Sequence, residues 1–277
     1  MRALLLSDIH ANLEALEAVL AAAPAHDVVW NLGDVVGYGA NPNEVIDASR
    51  HVGSVFVRGN HDRACCGLTS VEDFNPIAQR AARWTEYVLT EEHRDWLRGL
   101  AAGPIMPDGP QVSCVHGSPI DEDEYIVTVR DAWPSLQEGG TRLTYFGHTH
   151  IQGGFATNGD EWFRLVPHYT THHEAEEFEL QLREGARYLL NPGSVGQPRD
   201  GDWRAAFALY DDGQMLNLVQ RALTSAQTRA VILSLIAKSN EAQVSPPAVP
   251  RVSTGNTATM GDERPLADSG TDPKPKE

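Results

Sequence analysis

The sequence predicts an α/β protein, and two observations carry that prediction. In the first half, short apolar runs rich in Leu, Val and Ile, of the kind that form strands buried on both faces, alternate with segments of helical periodicity. In the later half, alternating runs and paired runs around Asn-Gly and Asp-Gly dipeptides read as antiparallel strands. That half is expected to form a second sheet.

The first strand is "ALLL" from Ala3, followed by "ANLEALEAVLAAA", in which Leu13, Leu16, Val19 and Leu20 recur at helical spacing, and then by "DVVWNL" from Asp27. This is a βαβ opening. Asn41-Pro42 supplies an N-cap and a proline at the first helical position, so a helix through "NEVIDASR" leads into the strand "SVFV" from Ser54. The same signal at Asn75-Pro76 opens a helix carrying Ile77, Ala81, Trp84 and Val88 on one face. A short helix from about Thr90, through Trp96 and Leu100, ends before Gly103-Pro104. Further buried strands are "QVSCV" from Gln111, "LTYF" from Leu143 and "YLL" from Tyr188. "GGFATNGDEWFRLV" carries a hairpin turn at Asn158-Gly159, "EEFELQLREGARYLL" alternates, and "WRAAFALYDDGQMLNLVQRA" is another strand pair around Asp212-Gly213. From about Val244 the chain has almost no large apolar residues, so one domain is expected over residues 1–243 and a disordered tail over 244–277.

With 277 residues, 41% of them hydrophobic, the chain can bury a sizeable core. Its formal charge of 22 − 38 = −16 repels nucleic acid and anionic lipid unless something local, such as a bound divalent cation, reverses the sign. Neither nucleic acid nor membrane is an expected partner. Cys65, Cys66 and Cys114 make no disulfide framework and are read as reduced, structural residues. The N-terminal apolar run is too short for a signal peptide or a span, so a cytoplasmic protein is expected.

The chemistry lies just after the apolar runs. "ALLL" is followed by Asp8 and His10, "VVWNL" by Asp34, "SVFV" by Asn60, His61 and Asp62, "QVSCV" by His116, and "LTYF" by His148 and His150. Each run thus delivers donors at its carboxyl end, the edge at which open α/β sheets bind ligands. Residues two apart in extended backbone point the same way, so the pairs Asp8/His10 and His148/His150 are each expected to converge. Asp8, His10, Asp34, Asn60, His116, His148 and His150 exceed the needs of one cation and suit two sharing a bridge, for which the two-oxygen carboxylate of Asp34 is the natural choice. Caps and turn formers would explain an Asp or Asn here, but not four histidines. Mixed nitrogen and oxygen donors suit Mn²⁺, Fe or Zn²⁺ better than Mg²⁺ or Ca²⁺, and Mn²⁺ is the metal expected first.

In this order, "SDIHAN", "NLGDVVGYG", "RGNHD", "CVHGSP" and "FGHTH" resemble the blocks of the calcineurin-like metallophosphoesterase superfamily, and "NPGSVGQPRDG" from Asn191 resembles a bacterial subgroup of it. The resemblance implies a two-sheet αββα sandwich and two divalent metal ions per chain. It implies that Asp8, His10, Asp34 and His150 hold one metal, that Asp34, Asn60, His116 and His148 hold the other, and that His61 is the catalytic histidine. The implied activity is hydrolysis of a small phosphate ester, a phosphodiester or nucleotide-like substrate, by a metal-activated hydroxide. Gly33-Asp34-Val35-Val36-Gly37-Tyr38-Gly39 departs from the G-D-x-x-D-R-G of the protein phosphatases and symmetrical dinucleoside tetraphosphatases of the superfamily, which lowers the expectation of either activity. A phosphomonoesterase or protein phosphatase is one alternative, and since the superfamily also includes a retromer subunit that uses the fold for protein binding, a scaffold is another. The complete donor set and His61 argue against it. A third reading, an interaction module, rests on the acidic composition alone.

His61 would protonate the leaving oxygen or stabilise charge on the phosphoryl group. Asp62 would orient His61 or cap the next helix. Arg63 and Arg199 are candidate phosphate contacts, because a guanidinium matches phosphate oxygens. Tyr125 and Trp133 are read as core residues with a pocket role as the alternative, the acidic run from Asp121 as an exposed loop with a place at the border of the cleft as the alternative, and His172 and His173 as solvated.

Overall fold

The computed structural model describes residues 1–138, 140–171, 173–211 and 216–222. The expected tail, His172 and the turn at Asp212-Gly213 lie outside them. The strands are β1 (Arg2–Leu6), β2 (Val28–Asn31), β3 (Val55–Phe56), β4 (Pro107–Pro110), β5 (Val112–Cys114), β6 (Leu143–Tyr145), β7 (Gly153–Thr157), β8 (Trp162–Leu165), β9 (Glu176–Gln181), β10 (Arg187–Asn191), β11 (Ala205–Asp211) and β12 (Leu216–Ala222). The helices are α1 (Leu13–Ala22), α2 (Pro42–Val52), α3 (Asn60–Cys65), α4 (Pro76–Val88), α5 (Glu91–Arg98) and α6 (Val129–Glu138).

Two mixed sheets result, one ordered β3-β2-β1-β11-β12-β9 and the other β5-β6-β10-β7-β8. The pleat of β1 shows how they stack: Ala3 and Leu5 face the second sheet and pack with Trp30, Tyr145 and Tyr188, whereas Leu4 and Leu6 face the helices and pack with Leu16, Val45 and Ile46. On the far side of the second sheet, Phe146, Phe155 and Leu189 meet Ala132 and Leu136 of α6. The layers therefore run helices, sheet, sheet, helix, an αββα sandwich.

The expected division into a parallel first half and an antiparallel second sheet is not what the chain adopts. Each sheet is parallel on one side, as in β1-β2-β3 and β5-β6-β10, and antiparallel on the other. β11, from the late part of the chain, returns to pair with β1, while the early β5 joins the second sheet. Strand pairing is a long-range choice, and local pattern does not encode it.

The face of α4 also differs. Ala78, Ala82 and Thr85 are buried, while Ile77 is 59% and Trp84 44% exposed. Small residues let the helix approach its neighbours closely, and the large apolar ones are left outside. Two helices were not expected. α3 is a short helix opened by the Gly59 cap, and α6 contains Pro134, which argues against a helix when read locally. The three cysteines are free and buried. No helix among the described residues is long and apolar enough to cross a membrane.

Candidate active site

The loops that leave the carboxyl ends of β1, β2, β3, β5 and β6 meet at one place, and they bring together every donor singled out in the sequence. Asp8, His10, Asp34 and His150 form one buried group and Asp34, His116 and His148 another, with the candidate ligand atoms of each group within 4.8 Å of one another. Asn60, the first residue of α3, joins the second group, its Oδ1 lying 3.3 Å from His116 Nε2. Asp34 belongs to both. Its Oδ2 lies 3.5 Å from His10 Nε2 and 3.5 Å from His116 Nε2, and its Oδ1 accepts from the His61 amide at 2.8 Å.

The backbone achieves this convergence differently from the extended pairs expected. Asp8, His10, Asp34, His148 and His150 all have φ between 50° and 64°, in the left-handed region. Each such residue without a glycine's freedom costs about 1–3 kcal/mol, and a cluster of them marks a site the rest of the fold holds in place. His148 and His150 accordingly diverge into different groups. Gly33, at φ 99°, lies where a Cβ would be 2.7 Å from Gly59 N and 2.8 Å from His116 Nδ1, so only glycine lets these loops touch.

The "NPGSVGQPR" segment is the clamp. Ser194 Oγ donates to Asp8 O at 2.8 Å, Gly196 N donates to the same carbonyl at 3.0 Å, and Arg199 N donates to His150 O at 3.2 Å. Asn191 Nδ2 donates to Gly147 O at 2.8 Å and Thr149 Oγ1 at 3.0 Å. The loops bearing Asp8 and His150 are thereby locked together.

The histidine tautomers follow from the same framework. Nδ1 of His10, His116 and His150 pairs with the carbonyls of Val36 (3.0 Å), Leu32 (2.8 Å) and Gln197 (2.6 Å), so that in each neutral ring Nε2 carries the lone pair and faces inward. Nε2 of His10 and Nε2 of His150 then lie 3.1 Å apart with no proton for either to donate. Two nitrogens about 2.1 Å from one cation stand about 3.0–3.4 Å apart. His148 Nε2 is buried without a hydrogen-bond partner among the described residues. Bare lone pairs aimed at one another, with carboxylates between them, fit divalent cations.

The electrostatics agree. Burial opposes charge on Asp34, yet His116 and His61 hold its carboxyl well below the usual range. Burial also works against a charged His116, but Asp34 pushes it up to about 9, a proton that a cation would displace. Burial lowers His148 to about 3 and His61 to about 4, and takes His10 well below its ordinary value.

His61 sits at the edge of the centre, in a cleft of about 460 Å³ that it shares with Asn60 and His148. Its ring is held by packing, with Tyr38, Phe74 and His10 centroids at 4.6, 4.7 and 4.9 Å. Nδ1 has no hydrogen-bond partner among the described residues, and a Cβ on Gly37 would lie 2.5 Å from it. Gly37 and Tyr38 are the two positions at which the sequence departs from the G-D-x-x-D-R-G pattern. Both were missed as contributors, although that departure in the sequence was the signal.

Asp62 does not reach His61. It accepts from the amides of Asp34 (2.8 Å), Gly59 (2.9 Å) and Val36 (3.1 Å), capping α3 and fixing the Asp34 loop, and burial beside Asp34 raises it to about 7. Arg63 lines the cleft with its guanidinium paired to Glu122 at 2.8 Å and to Asp123, and Arg58 binds Glu122 as well at 3.0 Å. The acidic loop thus borders the cleft. Tyr125 and Trp133 are not core residues: they are 53% and 50% exposed, Tyr125 lying over the His148 ring at 3.8 Å and Trp133 stacking on Trp162 at 4.3 Å. Arg199 extends toward Tyr38, with NH2 3.5 Å from its hydroxyl. His173 is exposed.

Known proteins are similar to this chain. A crystal structure of a metallophosphoesterase from Sphaerobacter thermophilus is 38% identical, with a TM-score of 0.70 over 87% of this chain and 98% of that one. An uncharacterized protein of Methanocaldococcus jannaschii is 35% identical over 213 residues, 75% of this chain and 81% of its own length. A hypothetical protein of Pyrococcus horikoshii, 16% identical with a TM-score of 0.64 over 86% of this chain and 93% of its own, shares the fold. Residues 1–213 match the model of the calcineurin-like phosphoesterase superfamily domain, and with relatives at this identity and coverage the chain belongs to that superfamily.

Proposed function

We propose that the protein hydrolyses a phosphodiester or small nucleotide-like ester using two divalent cations, Mn²⁺ before Fe or Zn²⁺. Asp8, His10, Asp34 and His150 hold one, and Asp34, Asn60, His116 and His148 hold the other. The observation that carries this reading is the position of Asp34 Oδ2, equally far, at 3.5 Å, from a histidine of each group. When bound, the cations would supply neutralisation of the phosphoryl oxygens and the acidification of water that yields a nucleophile.

The chain's own residues do the rest. Arg199, beside Tyr38, binds phosphoryl oxygen, while Arg63, engaged by Glu122 and Asp123, holds the acidic loop at the mouth of the cleft. His61 donates a proton to the departing ester oxygen as its bond to phosphorus breaks and the bond to the incoming oxygen forms. Burial keeps His61 at about 4 in the free protein, and an anionic phosphate against the ring favours the protonated form it needs. Tyr38 and Phe74 orient the ring in place of a carboxylate.

Metal analysis of the purified chain, with turnover of phosphomonoesters, phosphodiesters and nucleotides in Mn²⁺, Fe²⁺ and Zn²⁺, tests the proposal. About two metals per chain and a preference for diesters are expected. Metal binding without turnover of any ester would instead favour a scaffold, and a preference for monoesters would overturn the diester assignment.

A further inference from the structure

A second cavity, of about 530 Å³, lies on the other side of Arg199 from the His61 cleft. Ile126, Phe146, Ile151, Phe155 and Leu165 give it an apolar floor, and Arg164 and His168 a polar rim. No candidate metal ligand lines it. Arg199 does, while its guanidinium donates to Gln197 Oε1 at 2.7 Å and reaches the hydroxyl of Tyr38, which lines the His61 cleft, at 3.5 Å. The chain crosses the same divide within three residues, Tyr125 facing the cleft and Ile126 and Val127 the second cavity. Arg199 and this strap stand between the two chambers, and Thr149, set between the donors His148 and His150, lines the second.

A phosphodiester has two arms. The arm that leaves must lie with His61, which supplies its proton, so the arm that stays needs another chamber. We infer that the cavity behind Arg199 binds the retained arm of the substrate, and that this arm is a ring-bearing group of nucleoside size. The volume falls within the roughly 300–1,000 Å³ of small-molecule sites. An apolar floor accepts the faces or edges of a ring, and the polar rim accepts sugar hydroxyls, which a purely aliphatic arm does not need. This inference rests on the phosphodiesterase reading proposed above.

The test uses two esters with the same leaving group, methyl p-nitrophenyl phosphate and the p-nitrophenyl ester of thymidine 5′-phosphate. Their kcat/KM ratio isolates the retained arm, and saturation-transfer NMR between the full chain and free thymidine reads the cavity without any turnover. Val127 and Val166 line the cavity at exposed positions, 39% and 62%, so Val127→Trp and Val166→Trp fill it without crowding the core. The thymidine ester is expected to exceed the methyl ester by at least about tenfold in the native chain, with both that ratio and the transfer to thymidine collapsing in the two variants. Hydrolysis of the methyl ester with a ratio near one, or a ratio that survives in both variants, overturns the cavity assignment alone. Hydrolysis of neither ester overturns the phosphoesterase reading and the cavity with it.

Discussion

Gly37→Ala is the sharpest probe of how His61 is held. The residue has φ 91°, and its added Cβ would lie 2.5 Å from His61 Nδ1 and 3.1 Å from His61 Cβ, so the methyl group and the imidazole cannot both keep their places. Two costs separate. Placing an L-residue at such a φ costs about 1–2 kcal/mol, which at about 2–4 °C per kcal/mol for a domain of this size lowers Tm by about 2–8 °C. Displacing the ring removes proton donation, which is worth on the order of 10²–10⁴-fold in kcat on an ester with a poor leaving group. Gly109→Ala is the control, because Gly109 has φ 69° with nothing within 4 Å of the added carbon. It carries the backbone cost without the collision. Thermal unfolding and steady-state turnover of an alkyl phosphodiester, with metal content measured in both variants, check the pair. The expected result is a lower Tm in both variants and a lost kcat only in Gly37→Ala. A Gly37→Ala protein with native kcat would refute the claim that packing against a bare glycine positions His61.

Other outcomes follow from the same geometry. Asp34→Asn should lose at least one metal per chain and more than about 100-fold of kcat, beyond the effect of losing an outer partner, while near-native circular dichroism is kept; two metals and unchanged turnover would sink the bridging role. His61→Ala should cut kcat on an alkyl diester by about 10²–10⁴-fold and on a p-nitrophenyl ester by clearly less, with metal retained; equal losses would point to charge stabilisation at phosphorus instead. Arg204 is fully buried and binds Asp202 at 2.6 Å and Glu176 at 2.9 Å, so Arg204→Ala should cost about 3–5 kcal/mol by breaking a buried ion pair. Denaturant unfolding reads that loss, and a change under 1 kcal/mol would count against it.

Much of this site could be read without coordinates because its donors sit at a locally recognisable place, the carboxyl end of an apolar run. Asp8, His10, Asp34, Asn60, His116, His148 and His150 each follow such a run. The helices at Pro42–Val52, Pro76–Val88 and Glu91–Arg98 announce themselves by caps that act within a few residues. What local pattern could not reach depends on partners distant in the chain. Which face of α4 is buried depends on what packs over it, and Ala78 and Ala82 win over Ile77 because a close approach excludes large side chains. Arg63 looks like a phosphate contact until Glu122 and Asp123, some sixty positions on, take up its guanidinium. Asp62 looks like a partner for His61 until three backbone amides claim its oxygens. The return of β11 to β1 sets the sheet order and, through the segment before it, clamps the carbonyls of Asp8 and His150. Donor chemistry is a property of single residues, and the sequence carries it. Charge pairing, helix facing and the left-handed turns that aim those donors are energies of contact between remote segments, which exist only once the chain has closed on itself.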